Sequence, residues 1–427
     1  MAMRAFIFSA ALLSACVSPA AGPSNTPDSE PSASGGDTKA ASAPEAAGAS
    51  TPVSTGPKKI VGYFTNWAQY RTGCKFTAAD VDASLLTHIN YAFAKVDAGP
   101  GGKAKPRFGI AAYDKTDLGA NGQYAQINGL KKKHPDLKTF ISIGGWSHNE
   151  GADAWLFTTM AEKAETRADF IKATIEYVRL HHFDGIDLDW EYPADPTRGG
   201  RSIDTATFTA LLTEFRAAIN AEAKASGKDA LLLTIAAPAG VAVRGLDLAK
   251  IHEPLDWINL MSYDYYGGWD VHTNHNAPAP KVGAGVQGSV SIYMNFGVPA
   301  EKIVLGMATY GRSFANAETD KVGALSKGNG PVGRCTGAPG MLSYFEIKEL
   351  LDAGKLKASW DDAAMVPYAY DSSSKLWVSY DDERSFGKKL DFIDQKGLGG
   401  AMFWALDMDD YKHGYPLIST VAKRYKK

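Results

Sequence analysis

From about residue 58 the chain alternates short, apolar, β-rich runs with stretches of helical periodicity, the pattern of an α/β fold. The strand candidates begin Lys59–Phe64, His88–Phe93 and Thr139–Ile143, followed by the run around Ile186–Trp190. Leu231–Ala236, Trp257–Met261, Ile303–Met307 and Gly400–Trp404 complete a set of eight. Most are separated by helical patterns such as Arg167–His181 and Thr205–Ala225. Eight strands in that alternation predict a TIM (β/α)8 barrel, in which functional residues gather at the carboxyl ends of the strands. Between the seventh and eighth strands lie far more residues than one helix requires. That stretch, about 314–380, holds Gly-rich turns, a helical piece near Tyr344–Leu351 and β-like runs such as Leu376–Tyr380. It reads as a small α+β insertion, since a structureless loop of that length is improbable.

One strand breaks the apolar rule. In Phe183-Asp184-Gly185-Ile186-Asp187-Leu188-Asp189-Trp190-Glu191-Tyr192-Pro193, Ile186, Leu188 and Trp190 alternate with Asp187, Asp189 and Glu191. Side chains of a strand alternate faces, so the three acids share one side, roughly 6.6 Å between neighbours. Crowding of this kind favours at least one acid that keeps its proton near neutral pH, as a general acid must. Asp184 has the opposite parity and is read as supporting the site from the beginning of the strand. Two blander readings are a solvated edge strand and a set of calcium ligands. A wet edge suits scattered mixed charges, and calcium wants a Gly-turned loop with further oxygen ligands. Catalysis is the better reading.

The amino terminus reads as a targeting segment, 1–15. Arg4 precedes the apolar stretch Ala5–Leu13, too short to span a bilayer as a permanent helix. Leu13-Ser14-Ala15-Cys16 resembles the bacterial lipobox, which points to lipidation of Cys16 and an outer-membrane or surface anchor. Ordinary secretion, with cleavage near Ser18-Pro19-Ala20, is the alternative. Residues 16–57 are dominated by Ala, Ser, Pro, Gly and Thr, a composition that reads as a flexible tether between the anchor and a catalytic barrel at 58–427. The formal net charge of −2 and the lack of a basic block argue against nucleic acid as a partner. No phosphate loop, nicotinamide fingerprint or Cys/His metal spacing is present, so neither cofactor nor metal is implied. Monomer is the simplest expectation.

Asp184-x-x-Asp187-x-Asp189-x-Glu191 resembles the DxxDxDxE signature of family 18 glycoside hydrolases, the chitinase family, without departure. Ser142-Ile143-Gly144-Gly145-Trp146 is similar to that family's SxGG segment, Met261-Ser262-Tyr263-Asp264 to its MxYD segment, and Gly400–Trp404 to its last strand. These matches run in the family's order over about 59–417. The resemblance implies hydrolysis of chitin or N-acetylglucosamine oligosaccharides with help from the substrate's own acetamido group. It implies Glu191 as acid and base, Asp189 as orienter of the acetamido group, and Asp187 as a partner sharing a proton with Asp189. Tyr263 would donate to the acetamido carbonyl, Asp264 would support the distorted sugar, and Trp404 would form the floor beneath it. Tyr63, Tyr192 and Arg312 would line the groove, and Met261 would stand beside it. Trp146, with Trp67 and Trp269, is a candidate for outer subsites. Ser142 would position Asp187, while Gly144 and Gly145 would let the backbone pass closely behind the acids. Cys74 and Cys335 both fall on the rim that the resemblance gives to the active site; a disulfide and two free thiols both stay open.

Two other functions fit the same pattern. An endo-β-N-acetylglucosaminidase acting on N-glycans uses the same acetamido chemistry. A lectin on the same barrel typically lacks the glutamate at the position of Glu191. The intact signature and the insertion favour a chitinase over both.

Overall fold

A computed structural model describes residues 56–279 and 285–426. The targeting segment, Cys16 and nearly all of the tether lie outside the described residues. Eight parallel strands form the barrel: β1 (Lys59–Thr65), β2 (His88–Asp97), β3 (Lys138–Gly144), β4 (Gly185–Asp189), β5 (Leu232–Pro238), β6 (Trp257–Met261), β7 (Ile303–Ala308) and β8 (Gly400–Trp404). Each pairs with the next, and β1 closes the ring by pairing with both β2 and β8. The fold is therefore a TIM barrel. A further short strand, Gly109–Ala112, runs antiparallel to the outer half of β2.

Alternation along β4 divides the environment in two. Ile186, Leu188 and Trp190 point outward into the layer between strands and helices, where Trp190 stacks on Phe157 at 5.3 Å and meets Phe208 edge-on. Helices Ala164–Leu180 and Asp204–Ser226 cover this side with Phe170, Val178, Leu211, Leu212 and Phe215. They are joined by Arg167–Glu214 and Arg179–Glu222, each at 2.6 Å. The second helix stops at Gly227, whose φ of 69° suits a left-handed terminus. Inside the barrel a separate cluster includes Val61, Tyr63, Phe140, Trp257, Val304 and Met402.

Between β7 and β8 a five-stranded antiparallel sheet stands beside the barrel. Its order is Met341–Ser343, Tyr310–Phe314, Leu376–Ser379, Val366–Asp371, Lys357–Asp361, with helix Tyr344–Asp352 attached. The first strand opens two residues after β7 ends, earlier than the reading at 314, because Tyr310-Gly311-Arg312 carries no alternation to betray it. A disulfide between Cys74, in the loop after β1, and Cys335 in the insertion ties the two regions together, with Cα atoms 5.8 Å apart.

Candidate active site

The carboxyl ends of the strands assemble the site, and β4 supplies its centre. Register places Ser142 of β3 and Thr234 of β5 directly across from Asp187. Both donate to it: Ser142 Oγ to Oδ2 at 2.8 Å and Thr234 Oγ1 to Oδ1 at 2.7 Å. Tyr63 OH adds a bond to Oδ2 at 2.7 Å, and Asn259 Nδ2 one to Oδ1 at 3.1 Å. Burial raises the Asp187 carboxyl, and these donors pull it back by favouring the anion. Asp189 is not among its hydrogen-bond partners.

Asp189 is the opposite case. It is 3% exposed, and its Oδ1 is buried without a hydrogen-bond partner. Burial, then the charges of Glu191 and Asp187, push it well above the usual carboxylate range. Glu191 lies just past the strand and is also buried; burial raises it to about 7, with nearby Arg198 limiting the rise. Gly144 and Gly145, at φ 118° and 86°, bring the end of β3 against this edge, and Gly145 N donates to Asp189 O at 2.9 Å. A side chain at Gly144 would collide with that same carbonyl, so the close passage requires glycine.

A second wall faces these acids. After β6, Asp264 adopts φ 57°, with its amide bonded to Asn276 Oδ1 at 3.0 Å. Its carboxylate receives Arg312 Nε at 2.7 Å, Arg312 Nη2 at 2.6 Å and Tyr310 OH at 2.7 Å. The Arg312 guanidinium also lies 5.1 Å from the ring of Trp269. Tyr263 packs on the interior cluster with its hydroxyl 3.9 Å from Met402 Sδ, and burial and the charges of Asp189 and Asp264 raise that hydroxyl. Met261 and Trp404, both partly buried, pack on the interior cluster nearby.

Aromatic side chains continue the surface. Trp404 sits 5.4 Å from Tyr63, 5.9 Å from the nearly parallel ring of Phe93 and 6.3 Å from Trp67. Trp67, Trp146 and Trp269 are exposed. Tyr192 is partly buried and meets Trp146 edge-on. One residue read from sequence falls elsewhere. Tyr63 is buried beneath the groove and acts through its bond to Asp187. Asp184 remains at the amino end of β4, where Oδ2 accepts from Thr139 N and Lys131 Nζ, each at 2.8 Å; its strand position keeps it away from the acid cluster.

Sequence reasoning missed Thr234, Asn259, Tyr310, Asn276 and Arg198. Thr234 and Asn259 did leave a signal, as lone polar residues inside the apolar runs Leu231–Ala236 and Trp257–Met261. Among the described residues no group of three or more His, Cys, Asp or Glu side chains is arranged to hold a metal ion.

A family model described as Glycosyl hydrolases family 18 matches residues 59–409, which span every element named above. The chain belongs to this family. It is 38% identical to Chitotriosidase-1 of Mus musculus over 382 residues, covering 85% of this chain and 77% of the relative. It is also 38% identical to the Probable endochitinase of Caenorhabditis elegans over 385 residues, covering 84% of this chain but 59% of that longer relative. The solved structure of human YKL-39, titled a pseudo-chitinase with retained chitooligosaccharide binding properties, superposes with a TM-score of 0.76 at 34% identity, covering 86% of this chain and 99% of that one. Family 18 thus contains both hydrolases and binders on this barrel.

Proposed function

We propose that the protein is a chitinase that cleaves β-1,4 linkages between N-acetylglucosamine residues with retention of configuration. The observation that carries this reading is the pair of dissimilar acids on one strand edge: Glu191, raised to about 7, beside Asp189 with its unpartnered Oδ1. Glu191 gives its proton to the glycosidic oxygen as the bond to the anomeric carbon breaks. The acetamido oxygen of the same sugar attacks that carbon from the opposite face, forming a cyclic oxazolinium ion. Asp189 accepts the acetamido N–H at its orphaned oxygen and offsets the positive charge. Tyr263 donates to the acetamido carbonyl, and Asp264, fixed by Arg312 and Tyr310, supports the sugar. Glu191, now a carboxylate, takes a proton from the water that opens the ring. Trp404 packs beneath this sugar, and Trp146 with Tyr192 extends the groove. Cys16 and the tether support export with a lipid anchor, a reading that loss of radiolabelled lipid in a Cys16→Ser chain would check.

Hydrolysis of defined N-acetylglucosamine oligomers, analysed by mass spectrometry, tests the main proposal. Wild-type turnover reduced about 10²–10⁴-fold in Glu191→Gln is expected. Binding without wild-type turnover would point to a lectin instead, and turnover only on N-glycans to an endo-β-N-acetylglucosaminidase.

A further inference from the structure

Arg198 lies at the end of a short 3-10 turn, Pro196–Arg198, in the loop after β4, and is 8% exposed. Its guanidinium has engagements on two loops at once. Nε donates to the carbonyl oxygen of Glu191 at 2.5 Å, and Nη2 donates to the carbonyl oxygen of Trp146 at 2.5 Å. The guanidinium carbon stands 3.5 Å from the centroid of the Trp146 ring, and Nη1 lies 3.6 Å from Glu150 Oε2. Trp146 nevertheless remains 54% exposed, so the arginine braces the indole without hiding it. A planar fork can donate along two directions while stacking on an aromatic face; an ammonium cannot do all three.

We propose that Arg198 is a positioning residue that fixes the Glu191 peptide and the Trp146 indole relative to one another, so that the acid and an outer sugar platform act at a set spacing. The proposal rests on the hydrolytic reading of Glu191 above. Its chemistry separates into a charge and a shape. Glu191 is faced by Asp189 on β4, Tyr192 and Arg198 on its own loop, Glu150 after β3, and Tyr263 and Asp264 after β6. Arg312 is already matched by its two bonds to Asp264. Arg198 is therefore the cation whose charge most directly opposes protonation of Glu191. Its shape, by contrast, holds Trp146.

Arg198→Gln and Arg198→Lys divide the two. In Arg198→Gln the alkaline limb of kcat/KM moves upward by about one pH unit, because the cation that favoured the carboxylate is gone. Arg198→Lys keeps that limb near its wild-type position. Both variants raise KM for oligomers long enough to reach Trp146 by about five- to tenfold, and neither raises it further in a Trp146→Ala background. An unmoved limb in Arg198→Gln, or KM losses that add fully to those of Trp146→Ala, would overturn the proposal and leave Arg198 a merely structural residue. If the wild type bound oligomers without cleaving them, the hydrolytic reading alone would fall. Oligomer binding followed by tryptophan fluorescence would then decide, with equal loss in Arg198→Gln and Trp146→Ala supporting the positioning role and no loss in Arg198→Gln refuting it.

Discussion

Asp187 and Asp189 stand two residues apart on β4 and face the same interior, yet their surroundings are opposite. Asp187 receives four hydrogen bonds, from Tyr63, Ser142, Thr234 and Asn259, contributed by four different strands. Asp189, equally buried, keeps one oxygen with no partner at all. Stabilising a buried anion takes donors, and β4 spends its neighbours' donors on the deeper acid. The shallower acid is left with an unmet need, which a substrate amide can meet. The difference separates an acid whose partners the fold supplies from one that the proposed reaction gives a partner.

The sharpest way to break this contrast is to remove each acid in turn. Asp189→Asn should lower kcat by about 10²–10³-fold, with its melting temperature near that of wild type, because it removes the carboxyl that can ionise against the positive charge developing in the reaction. Steady-state kinetics beside calorimetry would check both halves. Asp187→Ala should instead destabilise the barrel by about 3–5 kcal/mol, since it strands donors from four strands in a closed interior, and chemical denaturation would measure it. If the two variants exchanged phenotypes, the assignment of roles would be wrong. A finer cut is Tyr310→Phe, which takes one of three bonds from Asp264 while leaving both arginine bonds. A loss of about three- to tenfold in kcat/KM with little change in stability is expected from oligomer kinetics. Thr234→Val should have the smallest effect, about 1 kcal/mol in stability and a few-fold in rate, because three donors to Asp187 remain.

Much of this architecture was legible in the sequence because the barrel writes its own periodicity. The eight apolar runs gave the strands, and the alternation of Ile186, Leu188 and Trp190 with three acids placed those acids inside. What escaped was contact between distant segments. Asp187 is bound by residues 45 to 124 positions away, and no local pattern links Tyr63 or Asn259 to it. Arg198 stands in a loop with no local pattern to mark it, and the turn at Pro196–Arg198 brings it over Trp146. The family resemblance implies Tyr63 as groove lining, whereas its place on β1 buries it beneath the groove. Cys74 and Cys335 are 261 residues apart, so their pairing depends on how the insertion sits beside the loop after β1.

The central claim is that Glu191 carries the proton that starts the reaction, and the pH dependence of kcat/KM on a chitin tetrasaccharide tests it most directly. Burial raises the folded-state carboxyl to about 7, and a general acid works only while protonated. The rate should therefore hold on the acid side and fall tenfold per pH unit above about 7, with the limb absent from the residual activity of Glu191→Gln. A profile flat to pH 9, or an identical limb in Glu191→Gln, would contradict it.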